Sequence, residues 1–152
     1  MKQATLALGY LRIVSVIGLF WTLGSSAAAD EPQFYAEDIK AAMTAHIAEL
    51  VAEDGFWHTI DDLTETPLTL KFMQIHDPVR QISRRVYFAC TDFHDSTDKE
   101  KVYDMDFWLE PVAGQLVVFR TKVHKEPRHA LLYGWYKHPR YTFVNDEIEY
   151  LY

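Results

Sequence analysis

The sequence predicts an α+β domain in which one N-terminal helix packs on a curved antiparallel sheet of four to six strands. Three observations carry this. Apolar residues recur at helical spacing in one early stretch only, alternating patterns fill the rest of the chain, and a separate N-terminal segment has the order of an export signal.

In that segment Lys2 and Arg12 precede an uncharged apolar run from Ile13 to Gly24, followed by the small residues Ser25 to Ala29. Residues 1–29 therefore read as a signal peptide, and residues 30–152 as a single α+β domain placed in the periplasm or secreted. The run is shorter than the roughly 20 apolar residues that span a bilayer, which favours cleavage. Membrane attachment follows only if the segment is retained. Cleavage removes two basic residues and takes the net charge from −7 to −9, a balance unsuited to nucleic acid. With Cys90 as the one cysteine, no intrachain disulfide forms and stability rests on packing.

Ile39, Met43, His46 or Ile47, Leu50 and Val51 share one helical face, with Pro32 before them and Asp54-Gly55 after, so the helix is expected from Gln33 to Asp54. Strands are expected at Phe56 to Ile60, Leu68 to His76, Ile82 to His94, Lys101 to Glu110, Gln115 to Lys125 and Ala130 to Tyr136. A three-residue loop at Val112, Ala113 and Gly114 would set Phe107 against Phe119, Leu109 against Val117, Asp106 against Arg120 and Asp104 against Lys122. In the preceding hairpin Phe88 would face Phe107, Cys90 would face Met105 and Arg85 would face Glu110. Val86, Phe88, Cys90, Met105, Phe107, Leu109, Val117 and Phe119 then form the helix-covered face, with a charged, aromatic face opposite. Cys90 on the core face reads as a small hydrophobe and His46 as a partly buried helix histidine. In layout this is similar to cystatin-like rolls, with no shared motif, and such a layout does not fix a function.

Three functional readings follow. The first is an exported, non-enzymatic binding or accessory domain whose sheet face, through Tyr87, Trp108, Arg120, Lys122, His124 and Trp135, receives a small anionic ligand or an envelope protein. It draws on the basic, aromatic strip between Arg120 and Arg140 of an otherwise acidic protein. The second is zinc or copper binding through His94, Asp104, Asp106 and His124, although no compact ligand motif occurs among the seven histidines. Against it, Asp104 and Asp106 would each have a basic cross-strand partner. The third is hydrolysis by the Asp104 and Asp106 pair, whose backbone separation in a strand is roughly 6.6 Å. Any two acids at that spacing meet the same condition.

Overall fold

A computed structural model describes residues 32–152; the expected signal peptide lies outside the described residues. The elements are α1 (Ala36–Leu50), β1 (Trp57–Ile60), β2 (Pro67–Ile75), β3 (Arg80–Ser83), β4 (Val86–Asp95), β5 (Val102–Val112), β6 (Gln115–Ala130), β7 (Gly134–Pro139), β8 (Tyr141–Val144) and β9 (Glu147–Tyr150). One helix on a mostly antiparallel sheet is the expected α+β class. The large sheet has the order β1-β2-β4-β5-β6-β7, with β3 pairing the start of β4, and β8 and β9 form a separate hairpin.

Helix α1 opens with Glu37 and Asp38 in its first turn, where carboxylates meet unpaired N–H groups, and the Tyr35 N–H donates to Asp38 Oδ2 at 2.8 Å. It is shorter at both ends than the periodicity suggests. After Leu50 the chain closes through Gly55, whose N–H reaches the Val51 carbonyl at 2.9 Å with a φ of 85°. The stripe of Ile39, Met43 and Ile47 is buried on Leu70, Tyr87, Ala89, Phe93, Met105, Phe107, Leu109 and Val123. Burying such side chains contributes about 1.5–3 kcal/mol each.

The register differs from the expected one by a single residue between β4 and β5 and beside the β5-β6 turn, and by more beyond bulges at Trp108/Leu109 and Asp104/Met105. Ala113 and Gly114 alone form the turn, with φ of 49° and 81°, so Val112 pairs with Gln115 and Glu110 with Val117. Left-handed geometry at both central residues is what a two-residue hairpin turn requires. Likewise Phe88 faces Trp108, and Cys90 faces Asp106 instead of Met105. A one-residue slip exchanges the faces of a strand. Phe88 and Cys90 accordingly leave the helix side, Tyr87 and Ala89 take their place, and Val117 and Phe119 remain about half exposed while Leu116 and Val118 pack inward.

The physical reason is a second cover. The β8-β9 hairpin, turned by Asn145 and Asp146 at φ of 52° and 63°, lies on the outer sheet face. There Tyr141, Phe143 and Ile148 enclose Phe88, Trp108 and Cys90. From Asp104 to Leu109 every residue of β5 is therefore buried, whichever way it points. Alternation marks a face only where the other face is wet.

Arg140, at 3% exposure, anchors this hairpin. Its guanidinium makes a two-pronged contact with Asp61 at 2.7 and 2.5 Å and donates to Glu126 Oε2 at 2.7 Å. Asp61 also accepts the N–H groups of Leu63 and Thr64 in the β1-β2 turn. Burial raises the Asp61 carboxyl pKa, but Arg140 and those two N–H groups outweigh it and bring it down from 3.8 to about 2.

Two measurements check this anchor. Arg140→Ala leaves the buried Asp61 carboxylate without its cation, while Glu126 keeps Arg128, and should destabilise the fold by about 3–5 kcal/mol in urea titration. Because the folded pKa of Asp61 is depressed, its stabilisation is complete above pH 3.8 and lost as pH falls through about 2. Asp61→Asn should therefore flatten the acid limb of the stability curve over that window, and an unchanged acid limb would contradict the assignment.

Candidate functional site

The covered outer face holds a cluster of ionisable groups. Asp104 and Asp106 leave β5 on the side away from the helix, at 1% and 0% exposure, and Cys90 comes from β4 directly opposite Asp106. His124 and Lys125 come from β6 by way of a β-bulge. Met105 pairs with Val123 but Asp104 pairs with Lys125, so two residues of β6 oppose one of β5. Bulges re-aim side chains in this manner. From above, Tyr141 of β8 stacks on the His124 ring at a centroid distance of 4.7 Å and an interplanar angle of 19°.

Each carboxylate has its own partners. Lys125 Nζ donates to Asp104 Oδ2 at 2.8 Å, and the Tyr141 hydroxyl donates to Asp106 Oδ2 at 2.7 Å. The Cys90 thiol donates to Asp106 Oδ1 at 2.9 Å. Two buried atoms have no hydrogen-bond partner here, Asp104 Oδ1 and His124 Nδ1, the latter 3.5 Å from Asp106 Oδ2. One ligand-capable atom from each of Cys90, Asp104, Asp106 and His124 lies within 4.8 Å of all the others. Burial and the Asp106 charge push the Cys90 thiol pKa well up, and the same two causes raise the Tyr141 hydroxyl.

The cluster continues toward β2. Asp92 of β4 faces Asp104 across the strands and is held by Lys137 Nζ at 2.8 and 3.0 Å and by His76 Nε2 at 2.9 Å. Burial works to raise the Asp92 carboxyl, and the Lys137 and His76 contacts outweigh it, leaving it below the usual range. His76, Asp92 and Asp104 form a second group with ligand atoms in reach of one another.

Of the expected metal ligands, Asp104, Asp106 and His124 do meet. His94 does not join them, its Nδ1 lying 2.8 Å from the Asp95 carbonyl. The expected charge pairs are also exchanged. Asp104 pairs with Lys125 instead of Lys122, whose ammonium binds Asp62 at 2.6 Å and the Tyr150 hydroxyl at 2.9 Å. Arg120 is opposite Trp108, not Asp106, and its guanidinium lies 4.6 Å from the Trp108 ring centre.

Among the expected ligand-binding residues, Tyr87 is on the helix side at 2% exposure, its hydroxyl accepting the Phe34 N–H at 3.4 Å. Trp108 is 4% exposed beneath the hairpin, while Trp135 stands near the far end of the sheet against His129 and Lys101. These six side chains do not share one open surface. A groove of about 450 Å³ lies on the helix side instead, between α1 and β6, lined by Phe34, Ala42, Ala45, His46, Leu116 and Val118. His46 there is half-buried with its ring edge on Phe107, and burial lowers its pKa.

The site members that the sequence reading missed are Cys90, Lys125 and Tyr141. Cys90 was assigned to the wrong face by the one-residue slip, Lys125 is brought in by the bulge, and Tyr141 belongs to a hairpin outside the expected strands.

Thiol chemistry checks the geometry. Cys90, partly buried and with its thiol pKa pushed up, should react with iodoacetamide far more slowly in the native protein than in urea. Tyr141→Phe, which removes the hydroxyl from Asp106, should lower stability by about 1–3 kcal/mol. Rapid native alkylation together with a neutral Tyr141→Phe would place these groups elsewhere.

No protein family, curated protein or solved structure matches this chain, so its chemistry is argued from the cluster itself.

Proposed function

We propose that this protein is an exported metal-holding domain that binds one divalent transition ion, zinc or copper, through Cys90, Asp104, Asp106 and His124. The observation that carries the reading is the pair of buried, unpartnered atoms, Asp104 Oδ1 and His124 Nδ1, in a group of four donors within 4.8 Å. A tetrahedral zinc with bonds of about 2.0–2.3 Å places its ligand atoms about 3.3–3.8 Å apart, so small side-chain rotations close this set.

Charge supports the same reading. Lys125 is the formal cation on Asp104, whereas among the described residues Asp106 accepts hydrogen bonds only from the neutral Cys90 thiol and Tyr141 hydroxyl. A fully buried carboxylate with no cation bonded to it costs several kcal/mol. When a divalent ion displaces the Cys90 proton into solvent, two carboxylates, one thiolate, Lys125 and the ion sum to zero. Lys125 and Tyr141 then hold the non-ligating oxygens of the two carboxylates, the support that metal-binding carboxylates ordinarily have.

Burial also bears on what the site does. Neither carboxylate reaches solvent, which suits a closed ion site and suits hydrolysis of an external substrate poorly. The ion would tie β4, β5 and β6 together under the hairpin.

Calorimetric titration of the untagged protein with Zn²⁺ and with Cu²⁺ tests this. We expect one ion per chain, a raised Tm, and affinity that rises with pH because the thiol must deprotonate. Cys90→Ser and His124→Ala should each weaken binding by at least about tenfold, or 1.4 kcal/mol. Absence of binding by either ion, or binding unaffected in both variants, would sink the proposal.

A further inference from the structure

The tip of the β6-β7 hairpin stands apart from the proposed ion site. Ala130 pairs with Gly134, and the Tyr133 N–H closes the turn on the Ala130 carbonyl at 3.2 Å. Between them Leu131, Leu132 and Tyr133 are 94%, 83% and 84% exposed. Three consecutive large apolar side chains on a convex tip bury nothing within this fold. Isolated surface leucines are ordinary, but a contiguous apolar patch marks a contact surface.

The composition around the tip indicates what it meets. The next two rungs pair His129 with Trp135 and Arg128 with Tyr136, placing an aromatic ring and a basic side chain side by side just behind the apolar residues. Lys101 adds its ammonium 5.0 Å from the Trp135 ring centre. From Pro127 to Pro139 there is no acidic residue, in a chain whose net charge is −7. Trp and Tyr concentrate at the boundary between lipid tails and water, and basic side chains are drawn to anionic headgroups.

We propose that the β6-β7 tip is a membrane-surface anchor, with Leu131, Leu132 and Tyr133 entering the acyl boundary of an anionic phospholipid layer. Trp135 and Tyr136 lie at headgroup level and Lys101 faces the lipid phosphates, while Arg128 stays paired with Glu126 at 2.6 Å. The tip rests in one leaflet and does not span it. The rest of the acidic surface is held off the bilayer, which leaves the hairpin as the point of attachment.

The test mixes the full chain with vesicles of phosphatidylcholine alone or with about a third phosphatidylglycerol, and follows backbone hydrogen exchange at residues 130–134. Reading exchange locally keeps the tip distinct from the apolar run Ile13 to Gly24. The expected result is slowed exchange at the tip with the anionic vesicles, weakened by salt, and absent in the Leu131→Asp, Leu132→Asp double variant. Both substitutions lie on exposed positions, so the variant should keep the wild-type Tm. Unchanged exchange with both vesicles overturns the proposal and leaves the tip to a protein partner. Equal protection on both compositions overturns the assignment to an anionic surface.

Discussion

The arrangement of the outer face depends on one buried cation, the Arg140 guanidinium. It joins Asp61 in the β1-β2 turn to Glu126 on β6, and it sits between the end of β7 and the start of β8. Its backbone is used as well, the N–H donating to the His124 carbonyl at 2.8 Å and the carbonyl accepting the Leu151 N–H at 2.9 Å. Side chain and main chain together fix where the chain turns back across the sheet. Once that turn is fixed, Tyr141 arrives over Asp106 and Phe143 over Phe88 and Trp108. A face that would otherwise be wet becomes a second core with acids inside it.

Such a face combines two environments of different physical character. Toward β3 and the end of the hairpin, Phe88, Trp108, Phe143 and Ile148 pack as an ordinary apolar cluster, with ring pairs at 5.2 to 6.3 Å. Toward β2 and β7, Asp92 and Asp104 are each met by a lysine, Lys137 and Lys125, whose ammonium groups are about one third exposed. A lysine can keep its stem along the sheet and its head near water while still reaching a buried oxygen. Asp106, fully buried, and Cys90, partly buried, lie between the two environments.

The helix stripe and most strands were legible in the sequence because each depends on a local rule, but the expected strand Ile82 to His94 is broken into β3 and β4 by a turn at 84–85, and that at Ala130 to Tyr136 contains the β6-β7 turn. Ile39, Met43 and Ile47 repeat at helical spacing, and Gly55 and Gly114 sit where a left-handed residue closes an element. The faces were not legible, because Asp104, Met105, Asp106, Phe107, Trp108 and Leu109 are all buried and alternation within them carries no direction. A chain-local sign of the missing cover does exist. Tyr141 and Phe143 alternate before Asn145-Asp146, and Ile148 and Tyr150 alternate after it, which is a hairpin pattern. Had that hairpin been assigned, Phe88 and Trp108 would have had a second place to be buried, and the two-residue turn at Ala113-Gly114 would have been admissible.

The same reasoning locates the chemistry. Asp104 and Asp106 alone look like one exposed ion-paired rung after another, a pattern common on sheet surfaces and worth about 0.2–1 kcal/mol per pair. Their meaning changes once they are covered, because a buried carboxylate must be neutralised by something that also fits there. Lys125 does this for Asp104 through a bulge in β6. For Asp106 the groups bonded to it are a thiol and a phenol, both driven toward their neutral forms by the same burial. His124 Nδ1 lies 3.5 Å from the same carboxylate without a hydrogen bond to it. In the proposed reading the charge is completed by an ion that binds the imidazole, the thiolate and both carboxylates at once. It is the burial created by Arg140, more than any spacing of residues along the chain, that makes four ordinary side chains into a candidate metal centre.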